Sequence, residues 1–527
     1  MKKVFVLSLL ATLLSSSLVV AQQDSSLSTK AFESSYDAYV RRTLEKIPDI
    51  PGVAIVVVKD DRPIFTRAYG MADLETGKKA DTDTLFYIAS LTKSFTALTA
   101  SMLDREGKIK LDAPMTMYAS GISFKNQIPE KVTIRNLLTH TSGLRNNPLV
   151  FRMAYSGESD PSDMRSVLAG ATTYSDENYG KYAYDNLGYN IYGVLLQNHL
   201  KKTWQDELAR RIFKPLGMKH TTTYTSHAAA KKWTIATNYT LSTETQTSVR
   251  SPLAKTDDNL QSAGGIFTSI SDIGKWLIVS MNDGKLNGRQ IFPAELIRAQ
   301  HVGYTKSTRN EPPFTAEEYG LGWQIGKYGT EKVIFHHGGF AGYRSHFSFM
   351  PDRKIGVAVH VNEDVAAGRI ADMLGTYAYD LLLGKENVDA IYAKQLDDFV
   401  AEYATVKQRS AASFADRSKR MSQLTMPLAT YAGKYVNDGF GTMEIIEEGS
   451  NLIVKLGRNI RVRSTPFTEK DSIRVELIPP QGEPIKFQIA ATGRVEALTY
   501  RGQAFRRKWA FQSSARVRQR TFDSLTR

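Results

Sequence analysis

The chain has 527 residues, of which 42% are hydrophobic and 23% are charged, as in an ordinary soluble globular protein. Lys and Arg exceed Asp and Glu by 68 − 54 = 14. Residues 501–527, with eight Lys or Arg and one Asp, carry half of that excess. The rest is not concentrated as in a nucleic-acid-binding surface, so a nucleic-acid partner is not expected. The length predicts about two or three domains with a large core, and the absence of Cys excludes disulfides, thiol chemistry and a lipid-modified N-terminal Cys.

Residues 1–21 are predicted to be a secretory signal peptide. Lys2 and Lys3 precede an apolar run over 4–20, and Val19-x-Ala21 fits a cleavage site of small residues. Serines interrupt the run, and no second apolar stretch reaches the length of about 18 residues that a membrane span needs. The predicted location is therefore the periplasm or the extracellular medium, with no stable membrane span after signal removal.

The mature chain is predicted to begin with a helical segment and a β-hairpin. Residues 22–50 have a helical pattern, and Pro51-Gly52 ends it. A buried strand over 53–58 and a partner strand over 63–69 follow, joined by a turn at Asp60-Asp61.

The next stretch contains Ser90-x-x-Lys93, the only Ser-x-x-Lys sequence in the chain. Apolar residues follow at helical spacing at Leu91, Phe95, Leu98 and Met102. Ser90 is therefore predicted to lie near a helix N-terminus with Lys93 one turn on, where the two side chains can meet. An amine beside a serine hydroxyl can take its proton when burial or nearby cations lower the pKa of the amine. The alternative is an amphipathic helix with an exposed Lys.

Two further polar segments follow in chain order. A short helix over 134–138 ends in a polar turn that contains His140, which could act as a base, although a structural role is favoured because Ser90 already has Lys93 beside it. Tyr184-x-Asn186 is predicted to lie on a loop, where residues two apart point to the same side. A phenol can shuttle a proton, and an amide can bind a substrate carbonyl and a Lys ammonium. Simple packing of the tyrosines is the alternative.

The later part of the domain is predicted to complete one sheet. Gly264-Gly265 precedes a helix opened by Ser271-Asp272, and the Gly-Lys-Ser/Thr ending of a phosphate loop is missing, so nucleotide binding is not expected. An antiparallel meander is predicted over 319–325, 333–340, 345–350 and 355–361, and a helix over 369–383. We expect an α+β fold, in which the first hairpin and this meander form one antiparallel sheet flanked by the first and last helices. The helix of Ser90 belongs to an inserted helical subdomain.

A second domain is predicted at the C-terminus. Residues 22–384 form the first domain, and the charged, polar segment 385–426 is predicted to be a partly helical linker. Short alternating strands over 427–510 indicate a small all-β domain, closed or nearly closed like a barrel, in which we find no catalytic constellation. Residues 511–527 form a basic tail, which is expected to be a solvated end.

Three signals thus occur in one order: Ser90-x-x-Lys93, Tyr184-x-Asn186 and His336-x-Gly338. This order resembles the serine β-lactamase and penicillin-binding protein superfamily, whose motifs are Ser-x-x-Lys, Tyr-x-Asn or Ser-x-Asn, and Lys-Thr-Gly. The resemblance covers about residues 35–385. It is closest to the class C-like branch of esterases, D-aminopeptidases and other peptidases, through the words Leu137-Leu-Thr-His-Thr-Ser-Gly-Leu144, Phe213-Lys-Pro-Leu-Gly-Met218, Ala263-Gly-Gly265 and Tyr319-Gly-Leu-Gly-Trp323.

The residue types predict an acyl-enzyme mechanism without metal or organic cofactor. Ser90 attacks a carbonyl, Lys93 and Tyr184 form the base system, and Tyr184 protonates the leaving group. The backbone N–H groups of Ser90 and Gly339 form the oxyanion hole. The resemblance implies that Asn186 orients Lys93 and the substrate amide.

His336 stands where the resembled family has Lys, which implies that this position helps to hold a substrate carboxylate. His337-Gly-Gly339 also fits His-x-Gly, but the choice of His336 aligns the following residues with the wording of the family. A histidine is only partly charged near neutral pH, so small ester, peptide or amide substrates are favoured over β-lactams. The alternatives are a true β-lactamase, a slow-acylating penicillin-binding or sensor protein, and a non-catalytic scaffold.

The C-terminal β-domain loosely resembles the lipocalin-like extensions of some peptidases in this branch. The resemblance implies that such a domain shapes access to the site or assembles a homo-oligomer. A plain stabilising role is the alternative.

Overall fold

The computed structural model describes residues 28–478 and 481–509, so the predicted signal peptide and basic tail lie outside the described residues. The longer helices are Thr29–Lys46, Thr92–Arg105, Pro161–Ala171, Leu187–Leu200, Ile270–Met281, Ala367–Leu382 and Val388–Ser418. The shorter ones are Ile134–Leu138, Asn147–Phe151, Trp204–Leu208, Lys214–Leu216, Thr225–Ala230, Ala294–Gln300 and Leu428–Tyr431. Across the described part of the chain, no helix has both the length and the apolar character to cross a membrane.

A ten-stranded antiparallel sheet, here called the central sheet, organises the first domain. From edge to edge its strands are Thr305–Lys306, Thr315–Tyr319, Gln324–Tyr328, Glu331–Phe335, Tyr343–Met350, Ile355–Val361, Gly52–Lys59, Arg62–Asp73 and Lys78–Lys79, with Gly338–Phe340 paired to Tyr343–Met350. The first hairpin therefore lies beside the last strand of the late meander, with Val53 opposite Val361. This confirms the predicted assembly of the sheet from the two ends of the domain.

Both faces of the central sheet are buried. Successive side chains of a strand point to opposite faces, so the residues of one strand divide between two core clusters. Val53, Ile55 and Val57 belong to a core cluster shared with helices Thr29–Lys46 and Ala367–Leu382. The intervening Ala54, Val56 and Val58 belong to a second cluster, which includes helix Ile270–Met281 and the start of helix Thr92–Arg105. The continuous apolar run of this strand is thus explained by helices on both sides.

The inserted region carries the helices around the predicted catalytic serine. Helix Thr92–Arg105, here called the serine helix, is almost completely buried. A third core cluster joins its outer side to helices Ile134–Leu138 and Leu187–Leu200. A small sheet beside it has three short strands, Phe86–Tyr87, Phe267–Thr268 and Thr221–Thr222. Three further sheets have two strands each: Leu144–Arg145 with Thr173–Tyr174, Tyr239–Leu241 with Ser248–Arg250, and Lys285–Leu286 with Arg289–Gln290.

Helix Val388–Ser418 has 31 residues, where the sequence predicted only a partly helical linker. Its buried residues Tyr392, Leu396, Phe399 and Tyr403 join the core cluster under the central sheet. Their spacing of 4, 3 and 4 residues is a helical face that the surrounding charges obscure in the sequence. The first half of this helix therefore extends the core of the first domain.

The C-terminal β-domain is a nine-stranded antiparallel sheet. In spatial order its strands are Ile460–Arg463, Asn451–Leu456, Gly441–Glu448, Gly433–Asn437, Gln503–Lys508, Val495–Tyr500, Gln481–Ile489, Ser472–Ile478 and Thr465–Pro466. Ile460–Arg463 approaches Ser472–Ile478, so the sheet is nearly closed, as predicted. Phe151 and Ala341 of the first domain are part of its hydrophobic core, which packs the two domains together.

Candidate active site

Ser90 lies in a 3₁₀ turn, Ala89–Leu91, that leads directly into the serine helix. Ala89 has a φ of 45°, a left-handed conformation that is uncommon for a residue other than Gly. The Thr92 side chain fixes the turn by accepting hydrogen bonds from the backbone N–H groups of Gly265 at 3.1 Å and Ile266 at 3.2 Å. The predicted position of Ser90 at a helix N-terminus is confirmed, and its side chain remains partly exposed.

Lys93 is fully buried, and its ammonium group has three acceptors. Nζ donates to Ser90 Oγ at 3.0 Å, to Asn186 Oδ1 at 2.7 Å and to the backbone carbonyl of Ala263 at 3.0 Å. All three donors of an ammonium group are thereby used, which fixes Nζ beside the serine hydroxyl. Burial lowers the pKa of Lys93 to about 7, and Asp185 opposes this shift. An exposed Lys on an amphipathic helix, the alternative that the sequence left open, is excluded.

Tyr184 and Asn186 lie together over Lys93. Asn186 directly precedes helix Leu187–Leu200, and Lys93 Nζ lies 4.9 Å from the centroid of the Tyr184 ring. Burial raises the pKa of Tyr184 to about 12, with the Ser90 side chain opposing the shift, so its phenol stays protonated at neutral pH. The two residues therefore face one point, as their spacing predicted.

The polar turn around His140 holds this loop in place. The carbonyl of His140 accepts from Ala183 N at 3.0 Å, and its Nδ1 accepts from Asp185 N at 3.4 Å. The imidazole is buried and lies 4.6 Å from the ring of Tyr184. These contacts support the structural role that the sequence favoured for His140, because it positions Tyr184 and leaves the hydroxyl of Ser90 to Lys93.

The third motif lies at a break between two strands. Strand Glu331–Phe335 ends before His336, and Gly338–Phe340 begins after His337. The predicted continuous strand over 333–340 is wrong here, because His336 Nδ1 hydrogen-bonds to the carbonyl of His337 at 2.8 Å. A Cβ at Gly338 would lie 2.2 Å from the carbonyl oxygen of Ile88, so only Gly allows this strand to approach the turn of Ser90.

His336 is only 3% exposed, and its ring lies 5.9 Å from that of Tyr184. Burial, and then the charge of Lys93, hold the pKa of His336 well below its usual value. The sequence predicted a partly charged imidazole at neutral pH, which is wrong because the site is too well buried. His336 is neutral, and it provides no fixed charge for a carboxylate.

A profile of the family described as "Beta-lactamase" matches residues 40–378, about two thirds of the chain. The chain belongs to the Beta-lactamase family.

Curated relatives of this Beta-lactamase family member include an "Unguisins hydrolase ungD" of Aspergillus violaceofuscus (strain CBS 115571), which is 26% identical over 433 residues, 77% of this chain and 75% of its own length. "Protein flp" of Staphylococcus aureus (strain MW2) is 26% identical over 333 residues, and the match spans 62% of either chain.

Solved structures show the same fold. An octameric penicillin-binding protein homologue from Pyrococcus abyssi has a TM-score of 0.55 at 23% identity, covering 90% of this chain and 99% of its own. FmtA from Staphylococcus aureus has a TM-score of 0.51 at 20% identity, covering 67% of this chain and 86% of its own. The resemblance to the β-lactamase and penicillin-binding protein superfamily is confirmed, whereas the class C-like branch stays a prediction.

Three residues of this Beta-lactamase-family site were not predicted from the sequence. Ala263 contributes a backbone carbonyl, so only its place in the word Ala-Gly-Gly could have indicated it. Asp185 lies between the two residues of the second motif and opposes the lowering of the pKa of Lys93. Arg309, paired with Glu311, places its guanidinium carbon 4.2 Å from the centroid of the Tyr184 ring, and no motif marks it.

A cavity of about 540 Å³ opens beside the second motif, between the two domains. Tyr184 and Phe151 line it from the first domain. Phe440, Tyr500 and Phe505 line it from the C-terminal β-domain. The cavity is large enough for a bulky group beside Tyr184.

Proposed function

We propose that the chain is an exported serine hydrolase that opens ester or amide bonds through an acyl-enzyme on Ser90. The observation that carries this proposal is the buried Lys93, whose Nζ lies 3.0 Å from Ser90 Oγ. An amine with a pKa of about 7 is half deprotonated at neutral pH, the condition in which a general base works best.

The protonation states give the two members of the base system different roles. Neutral Lys93 takes the proton of Ser90 as Oγ attacks the carbonyl carbon. Tyr184, with a pKa of about 12, is a proton donor at neutral pH, so it passes a proton to the leaving group and is reprotonated from Lys93. Water then attacks the acyl-enzyme with the same groups in reverse.

The negative charge of the tetrahedral intermediate needs two aligned donors. We assign these to the backbone N–H groups of Ser90 and Gly339, because Gly338 brings its strand against Ile88, two residues before Ser90. Asn186 keeps Nζ of Lys93 in place through the 2.7 Å hydrogen bond.

The proposed substrate class rests on the cavity between the domains. The aromatic cavity between the domains favours a substrate with a bulky apolar acyl or leaving group. A relative is named a hydrolase of unguisins, which is consistent with hydrolysis by this site but leaves the substrate of this chain open. The finer assignment to a peptidase or esterase type is part of the proposal.

The proposed reaction is tested with the full chain and a panel of neutral aryl esters, D-amino-acid amides and a cephalosporin. We expect steady-state turnover of at least one ester or amide with a large apolar group. A burst of product without turnover would instead favour the slow-acylating penicillin-binding or sensor protein.

Replacing His336 with Lys is expected to shift preference toward substrates that carry a carboxylate. A unit charge about 4 Å away is worth roughly 4 kcal/mol at an effective dielectric near 20, before desolvation is subtracted. The measurement is kcat/KM for a cephalosporin against a neutral ester, in the parent and in His336→Lys. Acidification to pH 6 should shift the ratio of the parent only weakly, because burial holds the pKa of His336 well below its usual value. An unchanged ratio in the Lys variant would show that position 336 does not set the preference for a carboxylate. Arg309→Gln in the same assay reports whether Arg309 supplies the positive charge instead.

Export is proposed from the basic start and apolar run of the first 21 residues. Mass spectrometry of protein purified from its native envelope should give a mature N-terminus at Gln22. A cytosolic protein that retains Met1 would contradict export.

A homo-oligomer assembled through the C-terminal β-domain is also proposed, since a structural neighbour is described as octameric. Sedimentation equilibrium of the full chain should give a mass that is a multiple of 58.8 kDa, reduced by the loss of any signal peptide. A monomer at micromolar concentration would leave the β-domain with the stabilising role.

A further inference from the structure

A second group of polar side chains lies behind the third motif, outside the proposed acyl-transfer machinery. His337, His346 and Asp372 each offer a potential metal-ligand atom, and these atoms all lie within 4.8 Å of one another. His337 follows His336, His346 is in strand Tyr343–Met350, and Asp372 is in helix Ala367–Leu382. Three separate elements of the fold therefore converge on one point.

Hydrogen bonds connect Asp372, His346 and the neighbouring Ser348 in a line. His346 Nδ1 lies 2.9 Å from Asp372 Oδ1, and His346 Nε2 lies 2.6 Å from Ser348 Oγ. The order Ser–His–Asp is that of a catalytic triad, but Ser348 is fully buried and its Oγ also contacts Tyr379 OH at 2.7 Å. Ser348 is therefore no nucleophile, and the line needs another explanation.

Several polar atoms of the group lack a suitable partner. His337 Nε2 is buried without a hydrogen bond among the described residues, and His337 Nδ1 lies 3.8 Å from Asp372 Oδ1, too far for a hydrogen bond. A metal ion at this point would bind the unpaired Nδ1 of His337 together with Nδ1 of His346 and Oδ1 of Asp372, and neutral imidazoles are the form that binds metals.

We propose that His337, His346 and Asp372 bind a divalent transition-metal ion of the zinc class. Two imidazoles and one carboxylate are a common zinc ligand set, and their bonds of about 2.0–2.2 Å place tetrahedral ligand atoms roughly 3.3–3.5 Å apart. The observed separations from Asp372 Oδ1, 2.9 Å to His346 Nδ1 and 3.8 Å to His337 Nδ1, lie on either side of this value. The three ligand atoms, which all lie within 4.8 Å of one another, would close to these separations around the ion, with water as the fourth ligand.

The surroundings support the same assignment. A metal-bound His usually donates its other ring N–H to an outer partner, and Ser348 Oγ stands at that position for His346. The side chains of His337 and Asp372 are 23% and 21% exposed, which leaves the ion a path from solvent. Borderline nitrogen and oxygen ligands favour zinc over calcium or magnesium, which prefer oxygen alone.

The ion has a structural consequence for the third motif. His337 lies between His336 and strand Gly338–Phe340, so its coordination would tie this strand to helix Ala367–Leu382. The ion takes no part in the acyl-transfer steps, and its binding can be tested without any substrate.

The test uses the full chain, freed of metal with a chelator, and isothermal titration with ZnCl₂. We expect one Zn²⁺ per chain, a higher melting temperature, and tetrahedral d–d absorption when Co²⁺ is the probe. Asp372→Asn and His337→Gln should abolish binding, and Ser348→Ala should weaken it about 10- to 100-fold. The matched control is His360→Gln, a buried imidazole on the next strand that hydrogen-bonds to Ser345 at 3.1 Å and should leave zinc binding unchanged.

Circular dichroism confirms that each variant is folded before titration. Absence of stoichiometric binding to the folded parent would overturn the proposal. So would an unchanged affinity in Asp372→Asn, or a loss in His360→Gln as large as in Asp372→Asn.

Discussion

Replacing Ser90 with Ala should remove covalent labelling by a fluorophosphonate and reduce ester turnover by about 10⁴-fold or more, because loss of a nucleophile removes the acyl-enzyme pathway. Lys93 alone cannot replace it, since its Nζ is fully buried and engaged by Asn186 and Ala263. In-gel fluorescence after labelling and the initial rate with a neutral ester are the two measurements.

The matched control for this change is Ser94→Ala in the serine helix, which directly follows the turn of Ser90. Ser94 Oγ donates to the carbonyl of Leu91 at 2.8 Å and is fully buried, so this variant should label like the parent. Thermal unfolding of both variants separates a chemical loss from a folding loss. Labelling of Ser90→Ala at the level of the parent would remove Ser90 from the mechanism.

The first motif was predictable because its geometry is local. Residues three apart on a helix are neighbours in any fold, so Ser90 and Lys93 needed only a helical pattern to be placed together. The central sheet was predictable because its strands are apolar or alternating runs of residues bounded by turn residues. Burial of almost the whole serine helix, by contrast, depends on two core clusters with residues from distant parts of the chain.

The rest of the site depends on contacts that residue identity does not encode. Any residue at position 263 offers a carbonyl, so the third acceptor of Lys93 carries no sequence signal. Arg309 lies over Tyr184 because of the path of the chain before strand Thr315–Tyr319, and a lone Arg in a polar segment has no distinguishing pattern. The neutral state of His336 likewise follows from its burial, which only the assembled site determines.

Lys93→Ala and Tyr184→Phe should each reduce kcat/KM by about 10²–10⁴-fold, the usual contribution of general acid–base catalysis. The double variant should lose little more than the worse single variant, because the two side chains pass one proton along one path. Their contact supports this coupling, since Nζ of Lys93 lies 4.9 Å from the Tyr184 ring centroid and both interact with Ser90.

The pH dependence distinguishes the two roles within that pair. A general base acts when deprotonated, so kcat/KM of the parent should rise with pH to an inflection at about 7 and then level off, as the lowered pKa of Lys93 dictates. An ordinary Lys, with a pKa of about 10.4, would give a rate still rising at pH 9. Tyr184→Phe should keep the inflection and lower the plateau, whereas Lys93→Ala should lose the inflection. Penalties that multiply in the double variant would show that the two residues act independently. An inflection near 7 that survives in Lys93→Ala would show that Ser90 is activated by a group other than Lys93, whose Nζ lies 3.0 Å from Oγ.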